Sequence, residues 1–246
     1  MNKIQNKTVL ITGANRGIGK ALVTEFINAG AAKVYAAVRN VKSAQPLVDE
    51  FGDRVVPIYA DLSDLASIKQ AAQTATDVDV VINNAGIISS LDILDESALG
   101  EIDTVFDVNV KGLLRVAQAF APVLKANGGG TLVQLNSVAS LKDFDGLSTY
   151  CASKAASYSF TQALRTKLAE QGTQLVSVHP GPIATDMGDE AGFTDVAEPP
   201  SLVATGVIRA LENNEFFVFP DSVARQFHEA YQGFAKTFVT PEAVEA

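Results

Sequence analysis

The chain has 246 residues, 47% of them hydrophobic, enough to bury a full core without a disulfide or metal staple. Its 19 Lys and Arg against 28 Asp and Glu leave a net charge of −9. That balance argues against nucleic acid and against an anionic membrane surface as partners. With one cysteine, Cys151, and two histidines, His179 and His228, no intrachain disulfide and no Cys- or His-rich metal site can form, so no metal is expected.

The opening residues carry no signal-peptide core, and no run of 18 apolar residues exists, so a cytoplasmic protein with no membrane span is expected. There is no repeat and no Pro/Gly/Ser-rich linker, which reads as a single domain over 1–246.

In chain order, short apolar runs alternate with longer mixed ones. Strands are predicted at Lys7–Thr12, Lys33–Val38, Arg54–Ala60, Val78–Asn83, Thr131–Asn136, Gln174–His179 and, less regularly, Glu215–Phe219. Most of their residues are apolar, as in strands buried on both faces. Helices are predicted at Gly17–Ala29, Ala66–Thr76, Glu101–Ala126 and Thr149–Gln171, with Pro122 expected to kink the third. A further helical stretch runs from Ser222 to about Lys236 after a Pro220-Asp221 start, and a mobile tail is expected from Thr240 to Ala246. This alternation predicts an α/β fold: a Rossmann-type, doubly wound parallel sheet of about seven strands with helices on both faces. Ligands in such sheets bind beyond the carboxyl ends of the strands.

After the first strand comes Thr12-Gly13-Ala14-Asn15-Arg16-Gly17-Ile18-Gly19. A strand, a glycine loop and a helix start aim free N–H groups and a positive helix end at one spot, which suits a pyrophosphate. The spacing Gly-x-x-x-Gly-x-Gly is not the commoner Gly-x-Gly-x-x-Gly, and a tight turn alone would also use these glycines. Arg39 follows the second strand where an NAD-binding chain usually has a carboxylate for the ribose 2′-hydroxyl. A guanidinium there suits a 2′-phosphate, and Arg16 offers a second cation, so NADP(H) is expected over NAD(H). Alternatively, both arginines are solvated surface residues.

Tyr150 and Lys154, spaced i, i+4, share a face of one helix. A nearby ammonium lowers a phenol pKa toward the range useful for proton transfer. Ser137 follows the fifth strand, where its hydroxyl can hold a carbonyl oxygen. Alone, a Tyr-x-x-x-Lys pair is a weak signal.

As a set, Thr12-Gly13-x-x-x-Gly17-x-Gly19, Asp61, Asn83-Asn84-Ala85-Gly86, Asn109, Ser137, Tyr150-x-x-x-Lys154 and Pro180-Gly181 closely resemble the short-chain dehydrogenase/reductase family over about Lys7 to Thr185. The resemblance implies Tyr150 as general acid, Ser137 as the second donor to the carbonyl oxygen, and Lys154 as the group that tunes Tyr150 and holds the nicotinamide ribose. It implies that Asn109 holds a water leading from Lys154 to solvent. It places Gly13, Asn15, Arg16, Gly17, Ile18, Gly19, Arg39, Asp61, Leu62, Asn83, Ala85 and Gly86 around the adenosine and pyrophosphate. Pro180, Gly181, Ile183 and Thr185 would then meet the nicotinamide.

Among the neighbours, Asn136 reads as a strand-end spacer, Cys151 as a small buried helix residue, His179 as a satisfied structural histidine and His228 as a surface residue. Asp92, Asp95 and Glu96 read as a solvated helix start.

A variable substrate lid is expected at about 186–200, where Met187 and Phe193 could close over an apolar substrate. Phe144, with Leu141 and Leu147, either lines that pocket or packs inward. The expected activity is an NADPH-dependent carbonyl reductase, reversible as an alcohol dehydrogenase, acting on a small-molecule ketone or secondary alcohol. The alternatives are a 3-oxoacyl thioester reductase and a non-catalytic NADP(H)-sensing protein. The resemblance implies a homodimer through the two long helices or a homotetramer, the latter doubtful because Ser222 to Lys236 departs from the usual family C-terminus.

Overall fold

A computed structural model describes residues 3–240, so 241–246 of the expected mobile tail lie outside the described residues. In chain order the elements are β1 Thr8–Thr12, α1 Gly17–Asn28, β2 Lys33–Val38, α2 Gln45–Phe51, β3 Val55–Tyr59, α3 Leu65–Thr74, β4 Val80–Asn83 and α4 Ala98–Phe106. They continue with α5 Gly112–Ala126, β5 Thr131–Leu135, α6 Ser148–Ala169, β6 Gln174–Val178, α7 Asp186–Glu190, α8 Ser201–Asn213, β7 Phe217–Val218 and α9 Ser222–Phe234. The seven strands form one sheet in the order β3-β2-β1-β4-β5-β6-β7, and every pairing is parallel. The fold is therefore the doubly wound α/β sheet that the strand–helix alternation predicts, and its strand order reverses between β1 and β4.

The pleat sorts each strand between two cores. Val9, Ile11, Val80, Ile82, Val133 and Val176 face one side, against Leu22 and Phe26 of α1 and Val203 and Val207 of α8. Leu10, Val81, Leu132 and Leu175 face the other, against Ile68 of α3, Phe120 and Leu124 of α5 and Leu168 of α6. A strand covered on both faces has no polar side to show, which is why these strands read as unbroken apolar runs.

Several features depart from the expectation. The predicted helix Glu101–Ala126 is α4 and α5 joined by a π-helical turn, Asp107–Lys111. Pro122, expected to kink this helix, stands inside α5, which runs on to Ala126. Helices α2 and α8 occupy stretches where none is expected, and β7 is two residues long rather than five. Pro46 stands in the first turn of α2, where its missing N–H costs nothing, and Pro199-Pro200 lead directly into α8.

Candidate active site

The glycine loop leaves β1 at the point of strand reversal. Gly13 and Gly17 have φ of +65° and +51°, in the left-handed region that glycine enters freely. A Cβ at Gly19 would collide with the Gly13 carbonyl oxygen and approach Asn84 Nδ2 to 2.9 Å. The loop is held from beneath. Thr12 Oγ1 accepts from the Asn84 and Ala85 N–H groups, both at 3.0 Å, and Asn84 Nδ2 donates to the Thr12 carbonyl at 2.9 Å.

A groove of about 320 Å³ lies across the strand ends. Of the expected cofactor residues, Gly13, Asn15, Arg16, Gly17, Ile18, Gly19, Arg39, Asp61, Leu62, Ala85, Gly86 and Thr185 line it. Asn83 does not. It is buried and staples the sheet, accepting from Thr12 Oγ1 at 3.2 Å and donating to Gln134 Oε1 at 2.8 Å. Its neighbour Asn84 lines the groove instead, as do Asn40 and Ser43. Asn84 was visible within the Asn83–Gly86 motif, and strand alternation separates the two asparagines.

Arg39 is exposed at the end of β2. Desolvation pushes the Asp61 carboxyl up, but hydrogen bonds from Ser63, then the charges of Arg39 and Arg115, hold it below the usual range. Arg16 instead pairs with Asp186 of α7 at 2.7 Å, joining the glycine loop to the lid. The second expected phosphate cation therefore has a protein partner.

The groove continues into a cavity of about 160 Å³ lined by Ser137, Tyr150, Lys154, Pro180, Gly181 and Ile183. Phe144, Leu147, Met187 and Phe193 also line it, Met187 at its junction with the groove, while Leu141 packs with Val138, Phe219 and Ala224. Ile88, Ala191 and Val223 also line it and were not foreseen, because any apolar residue serves there and no spacing marks it.

Lys154 is buried, and its Nζ donates to the Leu135 carbonyl at 2.8 Å. Burial lowers its pKa to about 8. The Tyr150 phenol moves the other way. Burial raises it to about 12, against the pull of a hydrogen bond with Ser137. The depression expected from Lys154 is thus absent: the ammonium is turned to Leu135, 5.6 Å from the Tyr150 ring centroid, and desolvation prevails.

Asn109 sits in the π turn between α4 and α5. The turn's extra residue re-aims the side chain. Its Oδ1 accepts from the Ile87 N–H at 2.9 Å, and its Nδ2 donates to the Ile87 carbonyl at 2.9 Å and to Ser153 Oγ at 3.0 Å. Its own carbonyl accepts from Ser157 Oγ. These bonds make Asn109 a brace between the loop after β4 and α6.

Behind Ser137 lies a buried polar network. His179 Nδ1 lies 2.9 Å from Ser140 Oγ and 3.2 Å from the Ser137 carbonyl, and its Nε2 lies 2.8 Å from Ser177 Oγ. Burial holds the imidazole pKa down to about 3, so the ring is neutral. Asn136 is more than a spacer: its Nδ2 donates to Ser177 Oγ and Thr161 Oγ1. Cys151 is buried in α6. His228 is exposed and stacks on Phe219 with ring centroids 4.7 Å apart. No cluster of metal-ligating side chains occurs among the described residues, and none of their helices is long and apolar enough to cross a membrane.

The short chain dehydrogenase family model matches residues 7–194. The chain belongs to the short-chain dehydrogenase/reductase family. It is an oxidoreductase of that family. An NADP-dependent 3-hydroxy acid dehydrogenase of Schizosaccharomyces pombe is 29% identical over 93% of this chain and 96% of its own length. A short chain dehydrogenase of Burkholderia cenocepacia, solved in complex with NADP, is 30% identical with a TM-score of 0.83, covering 97% of this chain and 99% of its own. The 3-ketoacyl-(acyl-carrier-protein) reductase of Brucella melitensis, solved with NADH, is 26% identical with a TM-score of 0.80, covering 87% of this chain and 93% of its own.

Proposed function

We propose that this short-chain dehydrogenase/reductase is an NADP(H)-dependent carbonyl reductase, reversible as an alcohol dehydrogenase, with Tyr150 as its general acid and base. The observation that carries the reading is the meeting of Ser137, Tyr150 and Lys154 around one cavity that opens into the glycine-lined groove.

The residues fit a dinucleotide. The cradle around Gly13, Gly17 and Gly19 has the room that side chains would remove. Arg39 stands where a 2′-phosphate would need a cation, and the NADP-bound relative supports that preference. When bound, the reduced dinucleotide supplies the hydride that goes to the carbonyl carbon. Ser137 Oγ and Tyr150 Oη both donate to the carbonyl oxygen as negative charge grows on it. Tyr150 gives up its proton to that oxygen and recovers one from solvent. Lys154 has two N–H donors beyond the one given to Leu135; these would hold the ribose and, turned toward Tyr150 Oη, would stabilise the transient phenolate. Asn109 and His179 keep the Ile87 and Ser137 backbones in place. The balance is ketone, NADPH and one proton giving alcohol and NADP+.

Following NADPH and NADH oxidation with a panel of aliphatic and aryl ketones tests this. Ketone-dependent turnover with NADPH well above NADH is expected, and cofactor binding with no turnover on any carbonyl contradicts it. We extend the reading to a homodimer through α4–α5 and α6, where Leu99 and Phe160 are 77% and 41% exposed. A scattering mass near 25.9 kDa, that of one chain, rules this out.

A further inference from the structure

The groove is lined by Arg16 and Arg39, whereas the cavity beyond it is walled mostly by apolar side chains. The cavity walls include Ile88, Phe144, Leu147, Met187, Phe193 and Val223, none of which offers a side-chain hydrogen-bond donor or a charge. Ile88, Phe144, Leu147 and Phe193 also pack with Ala139 and Cys151 in one apolar cluster. Of all the residues lining the cavity only Lys154 is cationic, and it stands at the reaction centre with Tyr150, bonded to the Leu135 carbonyl, rather than among the apolar wall residues.

The segment over the cavity adds charge of the opposite sign. Residues 186–196 contain Asp186, Asp189, Glu190 and Asp195 and no Lys, Arg or His. Asp186 is paired with Arg16, and Asp189 accepts from Thr194 Oγ1. Lys142 is the cation near the rim, exposed, with its ammonium 4.7 Å from the Phe144 ring centroid rather than in the cavity. A carboxylate drawn into such a pocket would lose its water and gain no ionic partner, under an acidic cover.

We propose that the site takes uncharged ketones and secondary alcohols bearing an apolar chain or ring, and rejects the corresponding carboxylates. This rests on the reductase reading above and narrows it. It also separates this chain from its fission yeast relative, whose name specifies a hydroxy acid.

The test is a matched pair, methyl 3-hydroxyhexanoate and 3-hydroxyhexanoate, given to the full-length protein with NADP+. The expected kcat/KM for the ester exceeds that for the acid by about 100-fold. Calorimetric titration of both compounds into the NADPH-loaded protein, where alcohol and reduced cofactor cannot react, reads the same preference without turnover. If neither compound reacts, tighter ester binding still supports this proposal, while the reductase reading stands or falls with the ketone panel. A ratio near one in binding overturns it, whatever the turnover. Phe193→Lys adds a cation at the pocket and should narrow the ester-to-acid binding ratio by about tenfold. A ratio unmoved by that cation also overturns it.

Discussion

The cofactor groove and the substrate pocket meet at Tyr150 but are built differently. The groove is shaped by backbone. Gly13 and Gly17 take positive φ, and at Gly19 even a methyl group would strike the Gly13 carbonyl. The pocket is shaped by side chains of no fixed identity, Phe144, Leu147, Met187 and Phe193, partly on the segment 186–196 with its five-residue helix α7. Backbone geometry admits few residues, whereas apolar volume admits many. Changes in the groove should therefore act as all-or-none, and changes in the pocket as adjustments.

The sharpest way to break this contrast is Gly19→Ala. The added Cβ has no room because its neighbour is backbone. NADPH affinity, read by fluorescence titration, should fall by at least about 1000-fold, equivalent to roughly 4 kcal/mol. Affinity within a few fold of the parent would show that the loop yields.

Arg39→Ser should act next in size and on one cofactor only. Losing a charge-assisted contact to a 2′-phosphate should cut the NADPH-over-NADH preference by about 10- to 100-fold, with NADH constants little changed. Equal losses for both cofactors would mean that Arg39 supports the loop rather than the phosphate.

The boundary between the regions has its own pH signature. Lys154 titrates at about 8 and Tyr150 at about 12, so across neutral pH both carry their protons. As pH rises through about 8 the ammonium is lost while the phenol stays protonated. Reductive kcat should accordingly fall above that point, by about tenfold per unit if the charge is essential. A profile flat to pH 10 would remove the role given to Lys154.

The smallest effect belongs to the pocket. Phe193→Ala should raise KM for an apolar ketone by about 10-fold, the worth of part of one buried ring, and leave NADPH binding unchanged. A large loss of kcat instead would mean that the lid shapes the reaction centre and not only the pocket wall.

The same contrast explains how much was legible in the sequence. The strands declared themselves because burial on both faces leaves only apolar residues, and the glycine loop because its geometry excludes side chains. Arg39 is legible as a groove residue because it directly follows β2, where the strand ends meet the ligand side of the sheet. Asn83 and Asn84 were adjacent in one motif, and only the pleat shows that the first is a staple and the second a wall. The π turn that aims Asn109 has no sequence mark, since Asp107–Lys111 reads as ordinary helix. Helix α8 was hidden because its apolar face, Val203, Ala204, Val207 and Leu211, is short and interrupted by Gly206, which lies against Val218 of β7. The Tyr150 pKa was misjudged because helix spacing brings Lys154 near, while the depth of burial and the Leu135 carbonyl appear only in three dimensions.

The account turns on Tyr150 as the proton donor, and Tyr150→Phe tests it most directly, with NADPH binding and ketone reduction measured on the same preparation. The predicted result is NADPH affinity within a few fold of the parent and turnover reduced by at least about 1000-fold. A Tyr150→Phe protein that binds NADPH and reduces the ketone at the parental rate would contradict it.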